Sequence, residues 1–266
     1  MGYHRPMIDT HCHLTFPQLH RRLDDVLARA AQRGVDEMIS VGTNPDDAIA
    51  AAALAQRYAQ VHATAGLHPL YVKPGMDLGV VDEMLAWAVG RKEVVALGEM
   101  GLDYHYDDPP RELQHEAFGR QLATIAKLDT IMPIVIHNRK ATGDVLAMIR
   151  EAGLPGERFV FHCFTGGRGE VEQVLEAGAM MSFTGVATFA NAREVAEASD
   201  AVPLARLMVE TDAPYLTPEP HRKVRPNEPA YVVDVARFLA ARRGMGFDAF
   251  VDAVDGNARR VFGLGG

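Results

Sequence analysis

Two histidines one residue apart, His11-Cys12-His13, close the first apolar run of the chain. Along a strand successive side chains face opposite ways, so residues two apart share a face. Both imidazoles can therefore reach one ion while Cys12 points elsewhere. Alone, a His-x-His is weak evidence, because two ordinary loop histidines give the same pattern. Four more apolar runs end in the same way, however. One is followed by Glu99, the next closes on His137, another on His162, and the last leads into Glu210-Thr211-Asp212. Burying a charged or imidazole group without a partner is costly. Four histidines and two carboxylates capping five apolar runs therefore ask for a shared partner, and a metal centre supplies one. A single catalytic zinc takes about three protein ligands. Six donors suit a pair of divalent ions about 4 Å apart, bridged by a carboxylate and a water. With nitrogen and oxygen donors but no thiolate, Zn, Mn and Mg all qualify.

The elements that must position these donors follow from the hydrophobic pattern. Short runs rich in Val, Ile and Met alternate with longer amphipathic or Ala-rich stretches, without a sequence repeat. Eight strands are expected, at 7–11, 37–41, 62–67, 94–98, 134–137, 159–162, 180–183 and 207–210. Between them, Asn44-Pro45-Asp46-Asp47 reads as an N-cap, a first-turn proline and an acidic first turn. Helices are expected at 48–60, 111–128, 142–151 and 170–176, the last two stopping before Gly153 and Gly178. Two more, 230–243 and 248–262, form the tail. Strict alternation implies parallel strands with right-handed crossovers. Eight units over 266 residues suit an α/β fold of the (β/α)8 TIM barrel type, as a single domain over 1–266. Alternation by itself leaves an open doubly wound sheet as the runner-up. In a barrel all strand C-termini share one face, which would bring the donors to one mouth.

Composition narrows the function. The net charge of −8 argues against a general nucleic-acid coat, though not against an enzyme gripping one phosphodiester. No signal peptide or apolar run of membrane-spanning length is evident, and only two cysteines occur. A cytoplasmic protein with no membrane association is expected. Its oligomeric state stays open, with a monomer compatible. Cys12 and Cys163 read as free buried thiols, and the methionines in or beside strands as core filler.

Several segments together resemble the TatD family of metal-dependent deoxyribonucleases, nearly end to end. They are Ile8-Asp9-Thr10-His11-Cys12-His13-Leu14, Gly66-Leu67-His68-Pro69, Gly98-Glu99-Met100-Gly101-Leu102-Asp103-Tyr104 and His137-Asn138-Arg139. His162-Cys163-Phe164-Thr165-Gly166, Glu210-Thr211-Asp212-Ala213-Pro214-Tyr215-Leu216, Asn227-Glu228-Pro229 and Asn257-Ala258-Arg259-Arg260-Val261-Phe262 continue it. The resemblance implies that His11, His13, Glu99 and Asp212 hold one metal, and Glu99, His137 and His162 the other, with Glu99 bridging. It also implies hydrolysis of phosphodiester bonds in DNA, single-stranded or from an end, of the 3′–5′ exonuclease kind. Three departures bear on substrate or metal preference: Thr15 and Lys140, each in place of an acidic residue, and a long loop at 221–227 without the family's glycine.

On that reading a metal-bridging water is the nucleophile, and Asp212, with Glu99 the catalytic carboxylate, orients it and accepts its proton. His68, Arg139 and Arg222 are the candidates for binding phosphate, ahead of Arg225. Tyr104 and Tyr215 read more simply as packing than as base-stacking residues. Glu210 shares a face with Asp212 and is expected to support it. The alternative is a metal-dependent amidohydrolase that cleaves a C–N or C–O bond in a small molecule. Many such enzymes bridge their metals with a carboxylated lysine, and Glu99 in that place favours the phosphodiesterase.

Overall fold

The computed structural model describes residues 6–265. Eight strands follow in sheet order from β1 to β8: β1 (Met7–Cys12), β2 (Val35–Ser40), β3 (Val61–Ala65), β4 (Val94–Asp103), β5 (Ile134–Arg139), β6 (Phe159–Phe161), β7 (Met180–Phe183) and β8 (Leu207–Val209). All eight expected strands are present. β4 and β5 run on past their expected ends, whereas β6 and β8 stop one residue short, so His162 and Glu210 lie just beyond them.

The chain comprises two compact units. The first, residues 1–40, 163–172 and 181–266, joins the two ends of the chain. Here β1 pairs in parallel with β2, and Cys12 bridges Ala213 just past β8. The helix Phe247–Phe262 packs on β1 and β8. Ile8, Met38, Ile39, Phe183, Met208 and Phe250 are buried there. Two ionic clamps fasten early helix to late chain. Glu228 accepts from Arg22 and Arg29 at 2.7 Å each, and Asp234 from Arg33 at 2.8 and 3.0 Å.

The second unit, residues 41–162 and 173–180, holds β3 to β6 in parallel pairs. Helix Pro45–Arg57 starts as its sequence dictates, with the Asn44 side chain accepting from Asp47 N at 3.1 Å. It packs on β3, and helix Arg111–Ile125 packs on β4. Gly153, in the left-handed region at φ 65°, ends helix Thr142–Ala152 as anticipated. Backbone contact governs two β4 glycines. A Cβ on Gly98 would come within 2.4 Å of Val135 O, and one on Gly101 within 2.0 Å of His137 O. β4 and β5 are therefore close enough to place Glu99 and His137 side by side.

Candidate metal centre

In the second unit, three imidazoles converge on one carboxylate oxygen. Glu99 Oε1 lies 2.6 Å from His162 Nε2, 2.8 Å from His137 Nδ1 and 3.4 Å from His68 Nε2. Glu99 is buried, 2% exposed, as are His68 and His162. Ring nitrogens also approach one another, His137 Nδ1 lying 3.2 Å from His68 Nε2 and 3.4 Å from His162 Nε2. Imidazoles crowded around a carboxylate are a setting that a divalent cation reconciles, and one nitrogen or carboxylate oxygen from each of His68, Glu99 and His137 lies within 4.8 Å of the others.

The supports of this cluster are mostly absent from the sequence expectations. His137 Nε2 meets Asp103 Oδ2 at 2.9 Å, leaving Nδ1 turned toward Glu99. A carboxylate holding the far nitrogen of a ligating histidine fixes its tautomer and raises its basicity. Burial pushes the Asp103 carboxyl up, but the His137 hydrogen bond and charge, the His105 amide and Arg139 outweigh it, leaving Asp103 below its ordinary pKa. The spacing offered a signal, since Asp103 and Glu99 are four apart on β4 and so share a face.

Two buried glutamines on helix Arg111–Ile125, two turns apart, carry the next layer. Gln114 accepts from Asp103 N at 2.8 Å and donates to Asp103 O at 3.0 Å. Gln121 does the same for Leu67, at 2.8 and 3.1 Å. The residue preceding His68 is thereby fixed. His68 Nδ1 accepts from Leu70 N at 3.1 Å, so in the neutral ring the proton resides on Nε2, the nitrogen facing Glu99 and His137.

In the first unit, Asp212 is the focus. Its Oδ1 lies 3.2 Å from His13 Nε2 and 3.8 Å from His11 Nε2. Asp212 has φ 53°, in the left-handed region, and is held there by its surroundings. Its N–H donates to His11 O at 2.9 Å, and its carbonyl accepts from Tyr215 N at 2.9 Å. The preceding Thr211 is gripped by buried Asp9, whose carboxylate accepts from Thr211 N at 2.9 Å and Thr211 Oγ1 at 2.6 Å. Burial raises the Asp9 carboxyl to about 8, against the opposing pull of these bonds. Asn227, fully buried, donates to Thr211 O at 3.0 Å and Tyr215 O at 2.5 Å. Asp9 and Asn227 thus bracket the turn that presents Asp212, and the sequence reading gave neither a role.

Other candidates fare unequally. Glu210 is buried and accepts from Cys163 N at 2.6 Å and Ser182 Oγ at 2.5 Å. Cys12 is buried as expected, but Cys163 is half-buried at φ 44°, because β6 ends before it and strand alternation no longer applies. Arg139 is half-buried, its guanidinium 5.4 Å from the Tyr106 ring centre. Arg222 stacks on Phe189 at 3.6 Å. Arg225 is turned back onto its own loop, donating to Thr217 Oγ1, Arg222 O and Val224 O. Tyr104 is tied to Asp144 at 2.5 Å and to His115, with Arg111 over its ring. Among the departures, Thr15 is half-buried and Lys140 exposed at φ 59°.

Residues 8–263 match the family model described as TatD related DNase. The chain belongs to the TatD family. A Klebsiella pneumoniae relative named 3′-5′ ssDNA/RNA exonuclease TatD is 36% identical, covering 97% of this chain and 98% of that protein. A Bacillus subtilis relative, the uncharacterized metal-dependent hydrolase YabD, is also 36% identical, over 96% and 98%. Among solved structures, the TatD homologue YJJV of Escherichia coli K12 superposes with a TM-score of 0.89 at 31% identity, covering 97% and 98%. The fold is thus the (β/α)8 TIM barrel of TatD metal-dependent hydrolases, and the doubly wound sheet is excluded. Among the described residues no helix is long and apolar enough to cross a membrane.

Proposed function

We propose that this TatD-family chain is a binuclear metal-dependent phosphodiesterase that cleaves single-stranded nucleic acid, DNA first, from an end. The observation that carries it is the convergence of His68, His137 and His162 on the single buried oxygen of Glu99. His11, His13, Glu99 and Asp212 would hold one divalent ion, and Glu99, His137 and His162 the other. When bound, such ions lower the pKa of a coordinated water and neutralise charge developing on phosphate.

The chain's own residues then divide the work. Asp212, restrained at φ 53°, orients the attacking water and takes up its proton at a carboxylate oxygen. Asp103 keeps His137 Nδ1 directed at the cluster through its bond to Nε2. His68 is better suited to phosphate than to metal, because the Leu70 N–H occupies Nδ1 and leaves Nε2 as a donor. Arg139 and Arg222 steady further phosphate oxygens by paired hydrogen bonds.

The test is hydrolysis of single-stranded DNA, RNA, a phosphodiester reporter and a panel of lactones and amides. Each is assayed with Mg²⁺, Mn²⁺ or Zn²⁺ and with chelator, beside Glu99→Gln and Asp212→Asn. Metal-dependent cleavage of nucleic acid, lost in both variants, is expected. Activity confined to lactones or amides would instead make the chain a small-molecule hydrolase.

A further inference from the structure

Two aromatic rings stand one tight turn from a proposed metal donor. Phe16 N donates to His13 O at 3.1 Å, and Tyr215 N donates to Asp212 O at 2.9 Å. Each residue is therefore tied through its backbone to the donor three residues before it. Phe16 lies flat on His13, with centroids 4.6 Å apart and planes within 18°. Tyr215 meets both rings edge-on, 6.5 Å from His13 and 6.4 Å from Phe16. The three form an aromatic corner. Its outer members stay open to solvent, with Tyr215 48% exposed and Phe16 half-buried.

Given the phosphodiesterase reading above, we infer that Phe16 and Tyr215 form a stacking site for the base of the nucleotide being released. A flat π face beside the scissile position recognises any nucleobase, because all four bases offer such a face. Stacking also requires a base free of a duplex neighbour, so the corner selects a single-stranded end without reading its sequence. Small-molecule esters and backbone phosphates lacking a base would gain nothing from it.

The experiment uses short single-stranded DNA oligonucleotides, identical except for a stable abasic residue at the 3′ or the 5′ terminus, with Mn²⁺-loaded protein. Base–aromatic stacking is worth ~1–3 kcal/mol per base, or roughly 5- to 150-fold. The wild type is expected to show kcat/KM at least about tenfold higher on the base-bearing terminus. Phe16→Ala and Tyr215→Ala should bring that ratio toward one. Phe16→Tyr and Tyr215→Phe, which keep the ring, should retain it. Equal cleavage of base-bearing and abasic ends by the wild type overturns the inference without any variant and leaves the phosphodiesterase standing. Retention of the ratio in both alanine variants overturns it as well. Failure to cleave any oligonucleotide overturns both proposals.

Discussion

Asp255, on helix Phe247–Phe262, is a carboxyl whose ionisation burial opposes. It is 7% exposed and accepts from Ile8 N at 3.3 Å through Oδ1, while Oδ2 has no hydrogen-bond partner. Burial raises its pKa from 3.8 to about 7, with Arg259 pulling the other way and Glu37 adding to the rise. Between those two values the folded chain binds a proton that the unfolded chain has released. Its contribution to stability is therefore fully present below pH 3.8 and is lost as pH rises through about 7. A gap of about three pH units corresponds to about 4 kcal/mol of destabilisation at pH 8. Asp255→Asn removes that ionisation and keeps the oxygen that accepts from Ile8. It also places an amide N–H₂ where Oδ2 lacks a partner, a cost of about 1–3 kcal/mol. The net expectation is a gain of about 1–3 kcal/mol at pH 8, or roughly 2–10 °C in Tm for a chain this long. At pH 4.5 it is no gain or a small loss. Differential scanning fluorimetry from pH 4.5 to 8.5 reads the difference directly. A difference independent of pH, or a variant that is less stable at pH 8, would refute the reasoning. The latter would mean that Asp255 is ionised and gripped by Arg259.

Three further outcomes follow from the site. Asp103→Asn supplies one oxygen where His137 and the His105 amide now use two, so metal affinity should fall ~10- to 100-fold by calorimetric titration; unchanged affinity would remove Asp103 from the site. Asn227→Ala strands the buried carbonyl of Thr211 and removes the donor to that of Tyr215, and should cost about 1–3 kcal/mol in urea unfolding along with a lower kcat, since the Asp212 turn loosens; an unchanged kcat would deny it a positioning role. Gly101→Ala drives a Cβ into His137 O at φ 145°, and soluble, folded yield judged by circular dichroism should collapse.

The strands were readable as short apolar runs, five of them closed by an imidazole or a carboxylate, and the side chains that gather around Glu99 and Asp212 were readable because they are those closing groups. The helices Leu23–Gln32, Gly79–Val89 and Arg193–Ala201 were not among the expected elements. Asp103, Gln114, Gln121, Asp9 and Asn227 were given no role for a physical reason. Their value lies in partners distant in the chain, the His137 ring for Asp103 and backbone groups for the glutamines, and Gln121 reaches Leu67 across 54 residues of chain. A buried glutamine on a helix has no pattern of its own until that partner is known. Arg225 shows the converse. Its charge suggested phosphate, but the loop folds so that its own carbonyls claim the guanidinium.

The bond between His13 and Asp212 spans 199 residues, and the turn carrying Asp212 is itself braced by Asp9 and Asn227. A polypeptide cut short before that stretch carries the early histidines and Asp9 but lacks the carboxylate and Asn227. Interrupted synthesis or C-terminal clipping before Asp212 therefore leaves His11 and His13 without the carboxylate they face, so the pairing exists only once nearly the whole chain is present.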